Sequence, residues 1–134
     1  WAGVVADENR IQLDLAEAYA RNDPALARYW LDRFSRDCVE RESTFAGIVN
    51  DHPRTAAQHD ATGAVLASEG RIAEGVTKHR AALVIWDGLQ FGWRAARTAL
   101  AIARLTRSPG DASSARERAA AFRGSWLARR ARNV

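Results

Sequence analysis

The 134-residue chain has few of the residues that hold small folds together through covalent bonds or metal ions. It contains one cysteine, Cys38, only three histidines, three prolines and no methionine. A single cysteine excludes an internal disulfide, and a zinc site needs several Cys or His ligands grouped together. The composition therefore predicts a fold held by packing alone, and the lack of a disulfide favours a reducing, cytoplasmic location.

Long apolar runs and catalytic motifs are also missing. The longest apolar run, Ala81 to Trp86, is far shorter than the roughly 20 residues of a membrane-spanning helix, and no secretory signal pattern opens the chain. The only lysine, Lys78, is not part of a Gly-Lys-Ser/Thr phosphate-binding step, and there is no G-x-S-x-G nucleophile motif. We therefore expect no membrane partner, no catalytic residue, no metal and no cofactor.

Alanine is the residue in which the chain is rich, with 28 copies. Alanine is the best helix former and the smallest apolar side chain, so it suits closely packed helices. Apolar residues recur at helical spacing along most of the chain. The pattern predicts an all-α fold of about six helices, at about 7–21, 24–42, 55–70, 71–87, 90–107 and 111–126 or beyond.

Helix-end signals support these boundaries. Asp23 is placed to cap the second helix, and Thr55 opens a capping-box spacing at the start of the third. Gly70 and Gly88 are placed to end the third and fourth helices in the left-handed conformation that favours glycine. Asp111 is the expected cap of the sixth helix.

Helix, short turn and helix, repeated three times, is typical of stacked antiparallel helical hairpins. We predict one domain over 1–134, with hairpins at about 7–42, 55–88 and 90–130 and an irregular insertion at 43–54. The 34 residues from Ala56 to Leu89 resemble one tetratricopeptide (TPR) unit, with small or apolar residues at the unit's positions eight, eleven, 20 and 27: Gly63, Leu66, Gly75 and Ala82. The resemblance implies a TPR-like, right-handed α-solenoid.

Two segments carry a narrower resemblance. Leu66 to Glu74 and His79 to Trp86 are similar to the helical-repeat arm of large bacterial LuxR-type, ATP-dependent transcriptional regulators. In those proteins the arm lies between a nucleotide-binding and a DNA-binding domain. The resemblance implies a non-catalytic module that binds another protein or a neighbouring domain, within a bacterial regulator.

The TPR resemblance also implies which residues line the binding groove, namely those at set positions on the first helix of each hairpin. Carried onto this sequence, these positions are Arg10, Leu13, Glu17, Asp60, Phe91, Arg94 and Thr98. We add Trp126, because an aromatic residue flanked by arginines is typical of binding hot spots. Phe122 and Leu127, near the end of the last helix, have little left to cover them, which suggests a homodimer or a neighbouring domain.

A different class of function stays open. His59 and His79 occupy facing positions of one hairpin, with Asp60 beside them. If these side chains held a ligand, the chain would be a stand-alone helical protein that binds a small ligand or metal between its hairpins. A packed, hydrogen-bonded histidine pair is the simpler interpretation of the same residues.

The C-terminal part of the chain is strongly basic. From Arg104 onward there are eight arginines against two acidic residues, a net charge of +6 within a chain of net charge +4. Arg116, Arg123 and Arg130 fall on one seven-residue stripe, but the other arginines do not. No recognition helix is evident, so we predict weak binding of nucleic acid without sequence preference, and a solvated surface or a docking face for an acidic partner.

Overall fold

Seven α-helices and one 3₁₀ turn make up the part of the chain that the structure, a computed structural model, describes: residues 2–42 and 53–134, with side chains for 10–37 and 53–134. There is no strand within these ranges, so the prediction of an all-α fold is confirmed. The helices are α1 (Ala2–Tyr19), α2 (Pro24–Glu42), α3 (Pro53–Ser68), α4 (Ile72–Gly88), α5 (Gly92–Thr106), α6 (Pro109–Ala119) and α7 (Trp126–Ala131), with the 3₁₀ turn at Ala120–Phe122.

Two of the expected helix ends are present. The backbone N–H of Leu26 donates to Oδ1 of Asp23 at 3.1 Å, as expected of a residue that caps α2. Gly70 has φ +85°, and the N–H of Arg71 donates to the carbonyl of Leu66 at 2.9 Å. This pairing is the Schellman motif, in which a left-handed glycine closes the helix.

The end of α4 differs from the prediction. Gly88 is the last residue of α4, and the left-handed residue is Gln90, with φ +58°. The N–H of Phe91 donates to the carbonyl of Trp86 at 3.0 Å, which is the same closing bond as at the end of α3. The prediction for Gly88 was therefore wrong, because Gly88 still belongs to the helix and the left-handed residue comes two positions later.

The start of α3 is also earlier than predicted. The helix begins at Pro53, so Thr55 lies within its first turn and does not cap it. Proline suits the first helical position because its missing N–H needs no partner there. Of the predicted insertion, residues 43–52 lie outside the described residues.

The expected sixth helix is two helices. The chain leaves α6 at Ala119, passes through the 3₁₀ turn and restarts as α7 at Trp126. Between them Gly124 has φ +82°, and Ser125 caps α7 by accepting a hydrogen bond from the N–H of Ala128. Ser108 caps α6, whereas the expected cap, Asp111, lies in its first turn.

The closest packing joins α3 to α4. A Cβ atom added at Gly63 would lie 2.8 Å from the carbonyl oxygen of Gly75, and one at Gly75 would lie 2.7 Å from the carbonyl oxygen of Gly63. Ala56, near the start of α3, clusters with Ala82 and Trp86, near the end of α4. The two helices are therefore antiparallel and cross almost backbone to backbone, which only residues without a side chain allow.

Buried apolar side chains form several clusters along the chain instead of one centre. A first cluster joins α1, α2 and the middle of α3 around Phe34 and Val65. A second joins α3, α4 and α5 around Trp86, and a third joins α5, α6 and α7 around Leu127. Each cluster thus links one helical pair to the next.

Arginine–carboxylate pairs link helices at the surface. Arg28 on α2 binds Glu69 after α3, with nitrogen–oxygen distances of 2.5 and 3.0 Å. Arg118 on α6 binds Asp87 on α4 at 2.7 and 2.9 Å, and Arg80 on α4 binds Asp111 on α6 at 3.0 and 3.3 Å. Two-point pairs of this kind fix orientation better than single contacts do.

Candidate functional site

Asp60 is a buried carboxylate at the point where α3, α4 and α5 meet. It is 5% exposed, and its Oδ1 lies 2.9 Å from Nδ1 of His79. Its Oδ2 accepts hydrogen bonds from Nε1 of Trp86 at 2.8 Å and from the hydroxyl of Thr98 at 2.7 Å. Burying a carboxylate without partners is costly, and these donors from α4 and α5 offset that cost. The network fixes the three helices relative to one another.

Trp86 supports two residues that solvent can reach. Its own side chain is 2% exposed. The ring of Phe91 stacks on it with centroids 5.8 Å apart and planes inclined by 23°, and the guanidinium carbon of Arg94 lies 5.1 Å from the Trp86 ring centroid. Phe91 remains 45% exposed. We call Trp86, Phe91 and Arg94 the Trp86 platform.

Charged groups of α1 and α5 surround the platform. Glu17 on α1 forms an ion pair with Arg97 on α5. Burial raises the pKa of the Glu17 carboxyl above its ordinary value, against the opposing effect of Arg97. Burial lowers the pKa of Arg94, and the neighbouring guanidiniums of Arg97 and Arg10 lower it further. The nearby carboxylates of Glu17 and Asp60 act in the opposite direction but do not outweigh these effects. The excess of guanidinium groups favours a carboxylate on whatever binds.

The residues predicted to line the groove fall into two groups. Arg10 and Phe91 are exposed, and Glu17 and Arg94 are half-buried. Leu13, Asp60 and Thr98 are 2%, 5% and 3% exposed. These three do not form surface that a partner can touch, because neighbouring helices cover the side of each helix that carries them. Asp60 instead holds Trp86 of the platform by a hydrogen bond, and Thr98 donates a hydrogen bond to the same Asp60 oxygen.

Trp126, the eighth predicted residue, belongs to another cluster. Its ring meets the edge of Trp93 with centroids 5.8 Å apart, and the guanidinium of Arg130 lies 5.1 Å from its centroid. It is 40% exposed, whereas Leu127 is fully buried. The expectation that Leu127 lacks cover was therefore wrong, because α7 folds back onto α5 and α6 after the turn at Gly124.

The predicted histidine pair is replaced by a different pairing. His79 is hydrogen-bonded to Asp60, and no hydrogen bond joins it to His59 among the described residues. His59 is half-buried, and burial together with the charge of Lys78 lowers its pKa. Within the described ranges, no group of three or more His, Cys, Asp or Glu side chains is arranged to hold a metal ion.

Two residues of the site, Trp86 and Arg97, are not among those that the sequence predicted to line the groove. Their roles depend on Asp60 and Glu17, which lie 26 and 80 residues away in the sequence. Helical spacing gives no information on such distant pairs.

Comparison of the chain with known protein families, with curated proteins and with solved structures found no match. In the part of the chain that the structure describes, none of the helices combines the length and apolar character needed to cross a membrane. What the structure establishes is an all-α protein with an aromatic and arginine platform over a buried carboxylate.

Proposed function

We propose that this chain is a non-catalytic protein–protein interaction module whose partner binds the Trp86 platform and the adjoining Arg10 and Glu17. The observation that carries the proposal is that an exposed aromatic residue is held in place by a buried one. Phe91 is 45% exposed, yet it stacks on a buried Trp86 that Asp60 holds in place. Aromatic and arginine side chains dominate binding hot spots, and a rigid anchor loses little entropy when a partner arrives.

The partner's chemistry follows from the charges around Phe91. Arg10, Arg94 and Arg97 lie close together. Counting only side chains that the structure describes, Arg97 alone among them has a carboxylate within ion-pair distance, that of Glu17. A segment with an acidic residue next to an apolar side chain would place the carboxylate near Arg94 and the apolar group on Phe91. We therefore propose an acidic-apolar segment of another protein or of a neighbouring domain.

Burial supports a non-catalytic role. Asp60 and His79, the pair with the chemistry closest to acid–base catalysis, are 5% and 4% exposed, and both oxygens of Asp60 accept hydrogen bonds from the protein. A small ligand or metal between the hairpins is disfavoured by the same packing. A Cβ atom at Gly63 would lie 2.9 Å from the His79 ring, so no space remains beside it.

The larger setting that we propose is a TPR-like arm of a bacterial transcriptional regulator. The close approach of Gly63 and Gly75 supports the repeat assignment, because it falls at two positions where the resemblance places small residues. The unit from Ala56 to Leu89 also spans α3, α4 and the turn between them. This setting would make the partner a protein segment in the cytoplasm.

Selection from a peptide library tests the proposal. Random peptides displayed on phage would be panned against the chain, and selected peptides measured against two variants. Phe91→Ala should weaken binding by roughly 30-fold, as expected for a hot spot. Val84→Ala removes an apolar group that is 72% exposed outside the platform and should leave binding unchanged. Selected peptides that bind all three proteins equally would contradict the proposal, as would a failure to select any peptide.

A further inference from the structure

A second concave site lies at the other end of α5. An open hollow of about 580 Å³ lies between α5, α6 and the C-terminal end of α7. Four of its ten lining residues are arginines and none is acidic: Arg104, Arg107, Arg116 and Arg130. Small or apolar groups form much of the remaining wall, including Ala103, Pro109 and Ala112. A lining of this kind combines strong positive charge with several small or apolar groups.

The arginines of this cavity differ from those that link the helices at the surface. Arg28, Arg80 and Arg118 each bind a carboxylate at two points. In the described part of the chain, the side chains of Arg104 and Arg107 have no hydrogen bond and no ion pair. The fold therefore neutralises the arginines that link its helices, and leaves these two without a carboxylate.

Like charges face one another across the cavity. Burial lowers the pKa of Arg104, and the positive charges of Arg21 and Arg130 lower it further, with no opposing carboxylate. Arg130 stacks over Trp126 at 5.1 Å, and Arg116 donates to a main-chain oxygen of Val134 at 3.0 Å. Neither arginine is paired with an Asp or Glu side chain in the described part of the chain. A bound anion would relieve this repulsion.

The positive surface continues beside the cavity. A second cavity of about 350 Å³ lies between α6 and α7 and shares Arg116 with the first. It is also lined by Arg123 and Arg132 and by no acidic residue. The arginines that sequence spacing placed on one helical stripe therefore surround two adjoining hollows, because the chain turns between α6 and α7.

We propose that the cavity bounded by Arg104, Arg107, Arg116 and Arg130 binds a small anion that carries two or more phosphate groups. Guanidinium groups present paired N–H donors that match phosphate oxygens, and four of them call for more than one negative charge. The volume lies in the range of small-molecule sites, about 300–1,000 Å³. Duplex DNA is the less suitable ligand, because its phosphates lie on a convex surface and these arginines surround a hollow.

This site is separate from the one proposed for protein binding. Arg94 and Arg104 are ten residues apart on α5, which corresponds to about 15 Å along a helix. Failure of either proposal therefore leaves the other standing.

Calorimetric titration with inorganic tripolyphosphate at about 0.15 M salt, where the screening length is about 8 Å, tests the inference. We expect saturable binding of one ion per chain. Arg104→Gln and Arg130→Gln should each weaken it by about tenfold or more, as expected for losing a charge-assisted hydrogen bond. Arg129→Gln is the matched control, because Arg129 neighbours Arg130 in sequence but lines neither cavity. It should change the affinity by less than about threefold.

Three outcomes would overturn the proposal. One is the absence of saturable binding by the wild-type chain. Another is an equal loss of affinity for Arg129→Gln and Arg130→Gln, which would indicate that the ion is attracted by the overall positive charge and not by this cavity. The third is tighter binding of a short DNA duplex than of tripolyphosphate, with every arginine variant losing the same amount of affinity for the duplex. Thermal unfolding checks that the variants are folded. Because Arg104→Gln removes a charge that its neighbours repel, it should unfold at a temperature no lower than that of the wild type.

Discussion

The indole nitrogen of Trp86 on α4 donates a 2.8 Å hydrogen bond to Oδ2 of Asp60 on α3. The same oxygen accepts the hydroxyl of Thr98 on α5 at 2.7 Å, so a single atom ties three helices together. The bond also sets the plane of the ring on which Phe91 stacks. The exposed surface that we propose for binding therefore depends on a buried residue that a partner does not touch.

Replacing Asp60 by alanine tests how much the buried carboxylate stabilises the fold. The change leaves the donors of His79, Trp86 and Thr98 without their acceptor in a site that water does not reach. Each buried unsatisfied group costs about 1–3 kcal/mol. We expect the free energy of unfolding, measured with urea, to fall by about 3 kcal/mol or more.

Thr98→Val is the matched control for this change. Valine keeps the shape of threonine and removes one donor, while Asp60 keeps the hydrogen bonds from Trp86 and His79. The expected loss is about 1 kcal/mol. If Asp60→Ala cost no more than Thr98→Val, the network would not have the central role that its geometry indicates.

Gly63→Ala tests the close crossing of α3 and α4. In an ordinary helix, glycine to alanine stabilises by about 1 kcal/mol. Here the new Cβ atom would lie 2.8 Å from the backbone oxygen of Gly75 and 2.9 Å from the His79 ring. The helices must move apart, and the overpacking should lower the free energy of unfolding by about 1–3 kcal/mol.

Gly88→Ala provides the comparison within the same pair of helices. Gly88 lies at the end of α4, and nothing lies within 4 Å of a Cβ atom added there. We expect this variant to be as stable as the wild type or up to about 1 kcal/mol more stable. Equal effects of the two substitutions in thermal unfolding would refute the close-crossing argument.

The sequence was sufficient to predict the all-α class and those helix ends that have strong local signals. Asp23 and Gly70 act through their own backbone surroundings, so a single sequence reveals them. The break between α6 and α7 was missed because the alanines before it favour continued helix. A local signal was present in Gly124 and Ser125, a left-handed glycine followed by a capping serine.

The candidate site was predicted only in part, for a geometric reason. Helical periodicity gives the angle at which a residue leaves its helix, but not which side a neighbouring helix covers. Phe91 and Leu13 were both expected in the groove, yet Phe91 is 45% exposed and Leu13 2%. Such differences are decided by tertiary packing.

Gln90→Gly tests the left-handed residue that ends α4. Gln90 has φ +58°, a conformation that costs a residue with a side chain roughly 1–2 kcal/mol and glycine very little. Its side chain is exposed, and we expect the substitution to raise the free energy of unfolding by about 1 kcal/mol. Gln90→Ala should bring no gain, because alanine has the same backbone restriction.

Gly70→Ala makes the opposite change, because it removes a glycine from a left-handed position. Gly70 has φ +85°, and a Cβ atom there would meet nothing within 4 Å, so the only cost is backbone strain. We expect a loss of about 1 kcal/mol in the same measurement. A gain at Gly70, or a loss at Gln90→Gly, would show that the turn conformations are not as described.

Two glutamates of the fold have pKa values shifted in opposite directions. Burial raises the pKa of Glu17, and its ion pair with Arg97 does not fully compensate. The hydrogen bonds from Arg28 lower the pKa of Glu69, and they outweigh the effect of its partial burial. Folding therefore favours the protonated form of Glu17 and the ionised form of Glu69.

The last prediction is that stability responds to pH with opposite signs at these residues. As the pH falls from about 8 to about 4, the folded state takes up the Glu17 proton before the unfolded chain does, so protonation stabilises the fold. The wild type should therefore gain stability relative to Glu17→Gln through the raised pKa, and the gain should be complete below the ordinary pKa of glutamate. At Glu69 the unfolded chain is protonated first, so the wild type should lose stability relative to Glu69→Gln as the pH falls from the ordinary pKa of glutamate through the lowered pKa of the folded state. Urea unfolding of the three proteins at a series of pH values measures both differences. If the wild type lost stability relative to Glu17→Gln on acidification, attraction to Arg97 would outweigh burial, and Glu17 would be an ordinary ion-pair partner.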